Sequence, residues 1–265
     1  MVIDFHTHVF PDKIVNKAIE SLSESSGGLI PQYNGTVTGL IETMNKDGVD
    51  KSVVLNIATN SHQMNSVNNF AEFVNNNYSD RLFAFGSVYP DAPDVLDELD
   101  RIKAMGLKGI KFHPEYQKFY VDDEKMRSIY KKIGELGLIT VFHAGFDLGF
   151  APPFHCMPKN ALKALEMFTS PVVFAHWGGY MCGTEVIEYL CGTEAYFDLS
   201  FGYGAIPKIV AEKIIEKHGI TKLLFGSDGP WHAPSMEYRL IESLGLSIEE
   251  KNAIYYDNAS KLLNT

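Results

Sequence analysis

Short apolar runs alternate along the chain with longer amphipathic stretches. The runs are rich in Val, Ile, Leu and Phe and recur about every 30 residues, as repeated strand–helix units do. Several are apolar throughout, which is typical of parallel strands covered on both faces. The eight predicted strands are Val2–Phe5, Ser52–Ile57, Leu82–Val88, Gly109–Phe112, Ile139–Phe142, Val172–Ala175, Ala195–Leu199 and Leu223–Phe225.

The stretches between these runs have the apolar periodicity of helices, and glycine follows several of them, as expected at helix C-termini. The predicted helices are Val37–Asn45, Val67–Asn76, Val95–Met105, Glu124–Leu136, Ala161–Phe168, Thr184–Leu190 and Pro207–Lys217.

Eight strand–helix units predict an α/β fold, a (β/α)₈ TIM barrel that forms a single domain over residues 1–265. An open doubly wound sheet is the alternative, but no G-x-G-x-x-G sequence follows the first strand. Two segments, 27–36 and 144–158, are longer than such units require. Long loops that follow strands of a barrel commonly build its active site.

Histidines stand at the end of the first strand, in the sequence Asp-Phe-His6-Thr-His8. Residues two apart on a strand face the same way, so the two imidazoles project together in the manner of a metal chelate. By itself this pair is equally compatible with two ordinary polar residues at a strand end.

Polar residues end other predicted strands as well. They are Lys111 and His113 on the fourth strand, His143 on the fifth, His176 on the sixth and Asp228 on the eighth. Burying such groups costs free energy unless they are paired. A shared cation at the C-terminal mouth of the barrel explains their recurrence better than coincidence does.

Seven segments, in order from residue 3 to residue 263, resemble the amidohydrolase superfamily of metal-dependent barrels. The closest resemblance is to the branch that contains both "amidohydrolase 2" hydrolases and decarboxylases related to aminocarboxymuconate semialdehyde decarboxylase. The segments are IDFHTH, GIKFHP, VFHAG, FAHWGG, YFDLS, LLFGSDGP and YYDNASKLL.

This resemblance implies that His6, His8, His143 and Asp228 bind a metal ion. Asp228 would also handle the proton of a metal-bound water, as a catalytic residue. His176 resembles a histidine that binds a second metal in two-metal members and polarises substrate in one-metal members. Imidazole and carboxylate ligands suit Zn²⁺, with Mn²⁺, Fe²⁺ and Co²⁺ as alternatives.

Lys111 allows two interpretations. Two-metal members of the superfamily bridge their ions with a carboxylated lysine at this position, so a carboxylated Lys111 would imply two ions. An unmodified Lys111 would imply one ion, and would bind a substrate carboxylate or pair with Glu115 or Asp228. His113, on the same face, either contacts substrate or is a histidine satisfied by hydrogen bonds.

Residues after the strand ends are candidates for a substrate pocket, among them Trp177 and Trp231. Packing of the loops is the alternative role for each tryptophan. Asp198 and Ser200 end the seventh strand and are candidate hydrogen-bond partners of a metal-binding histidine. Asp4 is expected to make a structural hydrogen bond.

The net charge of −10, with a pI near 5.4, makes nucleic acid and membrane surfaces poor partners. No apolar run is long enough to span a bilayer. Three cysteines without a CxxC pair, and no signal-like N-terminus, predict a cytoplasmic protein.

The sequence therefore predicts a metal-dependent hydrolase of a small-molecule amide, lactam, lactone or ester that uses metal-activated water. The alternative is a metal-dependent non-oxidative decarboxylase of an aromatic or enol acid, which would favour a cation to bind the carboxylate. A non-enzymatic barrel that keeps the metal for structure or sensing is a third possibility. A homodimer is expected only as a general tendency of such families.

Overall fold

A computed structural model describes residues 1–265. Its strands lie in two parallel sheets with the orders β1-β2-β3 and β4-β5-β6-β7-β8. Each of the eight falls within or overlaps a strand predicted from the sequence. Their bounds are β1 Ile3–Thr7, β2 Lys51–Leu55, β3 Leu82–Phe85, β4 Gly109–Phe112, β5 Ile139–Phe142, β6 Val172–Phe174, β7 Tyr196–Asp198 and β8 Leu223–Leu224.

Single bridges join the two sheets at both seams. Gly86 at the end of β3 bridges Ile110 of β4, and Thr7 of β1 bridges Gly229 after β8, both in parallel orientation. In addition, the amide of Phe5 donates to the carbonyl of Phe225 at 2.7 Å. The eight strands thus follow one another around a closed barrel, which confirms the predicted (β/α)₈ fold.

Helices surround the barrel, and every predicted helix is present in whole or in part. Five helices were missing from the prediction: α1, α5, α10, α11 and α12. The α-helices are α1 Val15–Ser25, α2 Val37–Asp47, α3 Ser61–Tyr78, α4 Val95–Ala104, α5 Pro114–Gln117, α6 Arg127–Glu135, α7 Pro158–Leu165, α8 Gly183–Glu185, α9 Lys208–His218, α10 Pro234–Ser243, α11 Ile248–Asn252 and α12 Asn258–Leu263.

The barrel interior is closed at its N-terminal end by an apolar cluster. Side chains from the strands, such as Phe5, Phe85 and Val141, pack there with Leu262 and Leu263 of α12. A larger apolar core lies between the strands and the outer helices. With the N-terminal end filled by apolar side chains, the polar residues that follow the strands are left at the C-terminal mouth. None of the helices is both long and apolar enough to cross a lipid bilayer.

Candidate metal centre

Three side chains from β1 and from the residues after β8 bring their ligand atoms together. Nε2 of His6 lies 3.2 Å from Nε2 of His8 and 3.3 Å from Oδ1 of Asp228. Nε2 of His8 lies 3.2 Å from the same Asp228 oxygen. An ion about 2.0–2.2 Å from each donor would lie just above the centre of this triangle. The spacing and chemistry of the donor set therefore fit a divalent metal.

Hydrogen bonds fix which nitrogen of each histidine faces the centre. Nδ1 of His8 lies 2.7 Å from the carbonyl oxygen of Leu55, which can only accept, so Nδ1 carries the proton. Nδ1 of His6 donates in the same way to Oδ2 of Asp198 at 2.9 Å. The lone pair of each Nε2 is therefore left for a metal, as is usual for metal-binding histidines.

Asp228 reaches this centre through an unusual backbone conformation. Its φ of 70° lies in the left-handed region, which non-glycine residues rarely adopt. The amide of Asp228 donates to the carbonyl of His6 at 2.8 Å and so ties this turn to β1. Burial raises the pKa of Asp228, but His6, His8 and His176 outweigh it and hold the pKa well below its usual range.

His143 and His176 form a second pair beside the three-residue cluster. Nε2 of His176 lies 3.1 Å from Nδ1 of His143, and the ring of His176 stacks on His6 at 5.1 Å. Nε2 of His143 donates to the carbonyl of Phe146 at 3.1 Å. Burial lowers the pKa of His143 to about 4 and lowers that of His176. Both rings are therefore neutral at pH 7.

Lys111 of β4 is 1% exposed and points into the centre, where its Nζ lies 3.2 Å from Nε2 of His6. Burial lowers its pKa to about 8, against the opposing effect of Asp198 and Asp228. The pairing with Glu115 considered above is wrong, because Glu115 is bound instead to Nδ1 of His155 at 2.6 Å.

Asp147 was not identified from the sequence, although it lies in the long segment 144–158. Its Oδ2 is 3.2 Å from Nε2 of His113 and 3.5 Å from Nε2 of His143, and the two rings stack at 4.2 Å. Burial raises the pKa of Asp147, but the hydrogen bond from His113 and the nearby His143 lower it overall. One carboxylate thus positions two histidines of the site.

A cavity of about 580 Å³ opens above these residues. Those of the predicted site residues that line it are His6, His8, Lys111, His113, His143, His176, Asp228 and Trp231. Trp177 does not line it. With φ at 62°, Trp177 turns towards Gly202 and lines a neighbouring cavity of about 340 Å³. The prediction that Trp177 contacts substrate therefore finds no support in this arrangement.

Asp198, Ser200 and Asp4 make the kinds of hydrogen bond that were expected from their positions in the sequence. The hydroxyl oxygen of Ser200 lies 2.9 Å from Nδ1 of His176, and Asp198 accepts the hydrogen bond from His6 described above. Asp4 accepts from the amide and hydroxyl of Ser227 at 2.9 and 2.6 Å, which is the structural role expected for it.

Solved structures with similar folds include decarboxylases, one of them with bound manganese. A TIM-barrel protein from Bordetella bronchiseptica has 17% identity and a TM-score of 0.78, with 99% of this chain and 98% of that chain covered. The 5-carboxyvanillate decarboxylase LigW from Sphingomonas paucimobilis has 14% identity and a TM-score of 0.73, with the same coverage. A dihydroxybenzoic acid decarboxylase from Polaromonas with bound manganese has 12% identity and a TM-score of 0.74, with 99% and 96% covered.

At these identities the solved structures establish the fold and not the reaction. A comparison with curated proteins gives no significant match. The family model described as Amidohydrolase matches residues 3–265, which includes every residue of the candidate centre. The chain therefore belongs to this amidohydrolase family.

Proposed function

We propose that the protein is a metal-dependent non-oxidative decarboxylase of an aromatic or enol acid. The observation that carries this proposal is the position of Lys111, whose ammonium group lines the cavity directly beside the three candidate metal ligands. A cation next to a metal centre suits a substrate with a carboxylate, because charge-assisted hydrogen bonds to an ammonium group are strong. The hydrolysis of an uncharged amide or ester gives this cation no comparable partner.

The structural neighbours support the same choice. Two of the three similar structures described above are decarboxylases of hydroxylated aromatic acids, and one contains manganese together with 2-nitroresorcinol as an inhibitor. Hydrolysis, the leading prediction from the sequence, remains the second candidate, supported by the neutral His176 at the cavity wall and by the family assignment.

We propose that His6, His8 and Asp228 hold one divalent ion, with His143 and His176 beside it. Zn²⁺ suits these ligands, and Mn²⁺ is the alternative suggested by the manganese-containing neighbour. When bound, the ion supplies Lewis-acid stabilisation of negative charge on substrate oxygens. A second ion would require a carboxylated Lys111, whereas the proposed role of Lys111 requires the free amine.

In the proposed reaction, Lys111 binds the substrate carboxylate. Asp228, which is ionised at rest, takes up a proton from solvent and delivers it to the carbon that bears the carboxylate. Oδ1 of Asp228 faces the two histidines, whereas Oδ2 makes no hydrogen bond and is available to carry the proton. The bond from this carbon to the carboxylate then breaks, its electron pair returns to the substrate, and CO₂ leaves. His176, at the cavity wall, positions the substrate oxygens.

The partner of this site is a small molecule, and neither nucleic acid nor membrane is part of the proposal. The homodimer and the cytoplasmic location stay predictions from the sequence.

Isotope labelling separates the two reactions. The protein is loaded with Mn²⁺ or Zn²⁺ and incubated in D₂O with dihydroxybenzoates, and in H₂¹⁸O with a panel of lactones and amides. We expect release of CO₂ and a product with one deuterium at the former carboxylate position, both lost in Asp228→Asn. Incorporation of ¹⁸O into lactone or amide products without any CO₂ release would support hydrolysis instead.

A further inference from the structure

The cavity extends well beyond the metal centre, between α1 and α3. Ile14, Ala18 and Leu22 recur every four residues and form one wall. Val67 and Phe70 of α3 form the facing wall, at the three-residue spacing of one helix face.

The segment after β5 borders the same space. Phe146 and Leu148 line the cavity and are 40% and 50% exposed, so apolar surface continues to its rim. Ile14, just before α1, also lines the cavity and is 52% exposed. Large apolar side chains gathered at the mouth of one cavity are typical of a binding site for apolar groups.

The size of the cavity also exceeds what the proposed reaction requires. At about 30 Å³ per water, 580 Å³ corresponds to roughly twenty water-sized atoms. A single-ring hydroxy acid has about ten non-hydrogen atoms and would occupy about half of this volume. The apolar residues of α1 and α3 named above belong to the lining that such a ring, bound at the metal centre, leaves free.

We propose that the natural substrate carries an extended apolar substituent, of about four carbons or more, which lies between α1 and α3 while its acid group reacts at the metal centre. This inference rests on the proposed function for the identity of the reacting group. The apolar segment gains binding free energy from its burial against the two helix faces.

The test uses alkyl hydroxamates of two, six and ten carbons, because a hydroxamate binds a metal centre whichever reaction the enzyme catalyses. Binding to the Mn²⁺-loaded protein is measured by titration calorimetry. Full burial is expected to strengthen binding by about fourfold per methylene. Even with partial burial, the six-carbon probe should bind at least about thirtyfold more tightly than the two-carbon probe.

Two variants in the α1 wall test where the chain lies. Ala18→Phe fills the space and Leu22→Asp places a charge in the wall, so each should remove the gain with chain length and leave the two-carbon probe unaffected. Ser21→Phe and Ser21→Asp, at an exposed position of α1 outside the cavity, are the matched controls and should retain the full gain.

The outcomes distinguish this inference from the proposed function. Affinity that does not rise with chain length in the unaltered protein, or a gain that survives both Ala18→Phe and Leu22→Asp, overturns the inference. A chain-length gain that is lost in these variants supports it, even where dihydroxybenzoates release no CO₂. In that case the proposed reaction alone would be wrong.

Discussion

Nδ1 of His6 donates a hydrogen bond of 2.9 Å to Oδ2 of Asp198, and both side chains are almost completely buried. The other oxygen of Asp198 accepts from the amides of His176 and Ser200, each at 3.2 Å. One carboxylate at the end of β7 therefore positions a candidate metal ligand and the histidine beside it. Burial raises the pKa of Asp198, but His6 and its hydrogen bond lower it overall, so Asp198 stays ionised.

Asp198→Asn should weaken metal binding by about 10–100-fold, the usual effect of losing a partner of a metal-binding histidine. The amide removes the charge that holds His6 in the tautomer with a free Nε2. Competition with a chelator of known affinity measures the change. Glu212→Gln, a carboxylate change at a partly exposed position of α9, is the control. Equal affinities in the two variants would show that Asp198 has no role in positioning His6.

Metal binding should stabilise the folded protein. At an ion concentration of 100 times Kd the expected gain is about 2.7 kcal/mol, or roughly 5–10 °C in Tm for a chain of this size. At the same concentration, a tenfold weaker site in Asp228→Asn would gain only about 1.4 kcal/mol. Thermal unfolding with and without Mn²⁺ measures both values.

Asp12→Asn, at an exposed position, is the control for this experiment and should keep the full gain. A gain in Asp228→Asn as large as in the unaltered protein would mean that the ion binds elsewhere.

The barrel could be predicted because the patterns that indicate its strands and helices each lie within one short segment of the sequence. The strands are continuous apolar runs, and α2 and α4 show a clear helical period that ends at Gly48 and Gly106. In contrast, α1 buries only Val15, and its apolar stripe borders an open cavity. Its apolar residues nevertheless recur at helical spacing, so the sequence carries a signal for α1 that the prediction missed.

The site could be predicted in part for the same reason. His6 and His8 are two apart on one strand, and their common direction follows from strand geometry alone. The position of Asp147 depends on the path of a long segment, and the direction of Trp177 depends on a positive φ of 62°. Neither property is encoded in a short-range pattern, so only the structure reveals them.

Lys111→Met should selectively weaken the binding of carboxylate-bearing substrates. Loss of a hydrogen bond to a charged group costs about 1.5–3 kcal/mol, so KM for a dihydroxybenzoate should rise at least about tenfold. The affinity for resorcinol, which has no carboxylate, should be nearly unchanged. Steady-state kinetics and calorimetry give the two values. A similar loss for both ligands would argue against a role in carboxylate binding.

Asp147→Asn should lower kcat/KM by about tenfold or more, because charge-assisted hydrogen bonds of this kind contribute about 1.5–3 kcal/mol. Without this carboxylate the stacked rings of His113 and His143 lose their common partner. Asp122→Asn is a matched control, since the two side chains are 12% and 16% exposed and Asp122 lies outside the cavity. If both variants retained full activity, Asp147 would not position the site.

Protonation of His218 should make the folded protein less stable in mild acid than at neutral pH. Its ring stacks on Phe197 at 3.9 Å and contacts the carbonyl of Ala195 and the amide of Gly192. Burial is the main cause that lowers its pKa from 6.5 to about 4. Between these values the unfolded chain binds the proton more readily than the folded protein does. The contribution is therefore fully present above pH 6.5 and is lost as the pH falls towards 4.

Urea unfolding of the protein and of His218→Gln between pH 4 and pH 7 isolates this effect, because the histidines of the metal centre are common to both proteins. We expect the free energy of unfolding to depend less on pH in His218→Gln, since glutamine does not titrate. The difference in stability between the two proteins should therefore be largest near pH 7 and shrink as the pH falls to 4. Parallel pH dependences in the two proteins would show that His218 titrates alike in the folded and unfolded states.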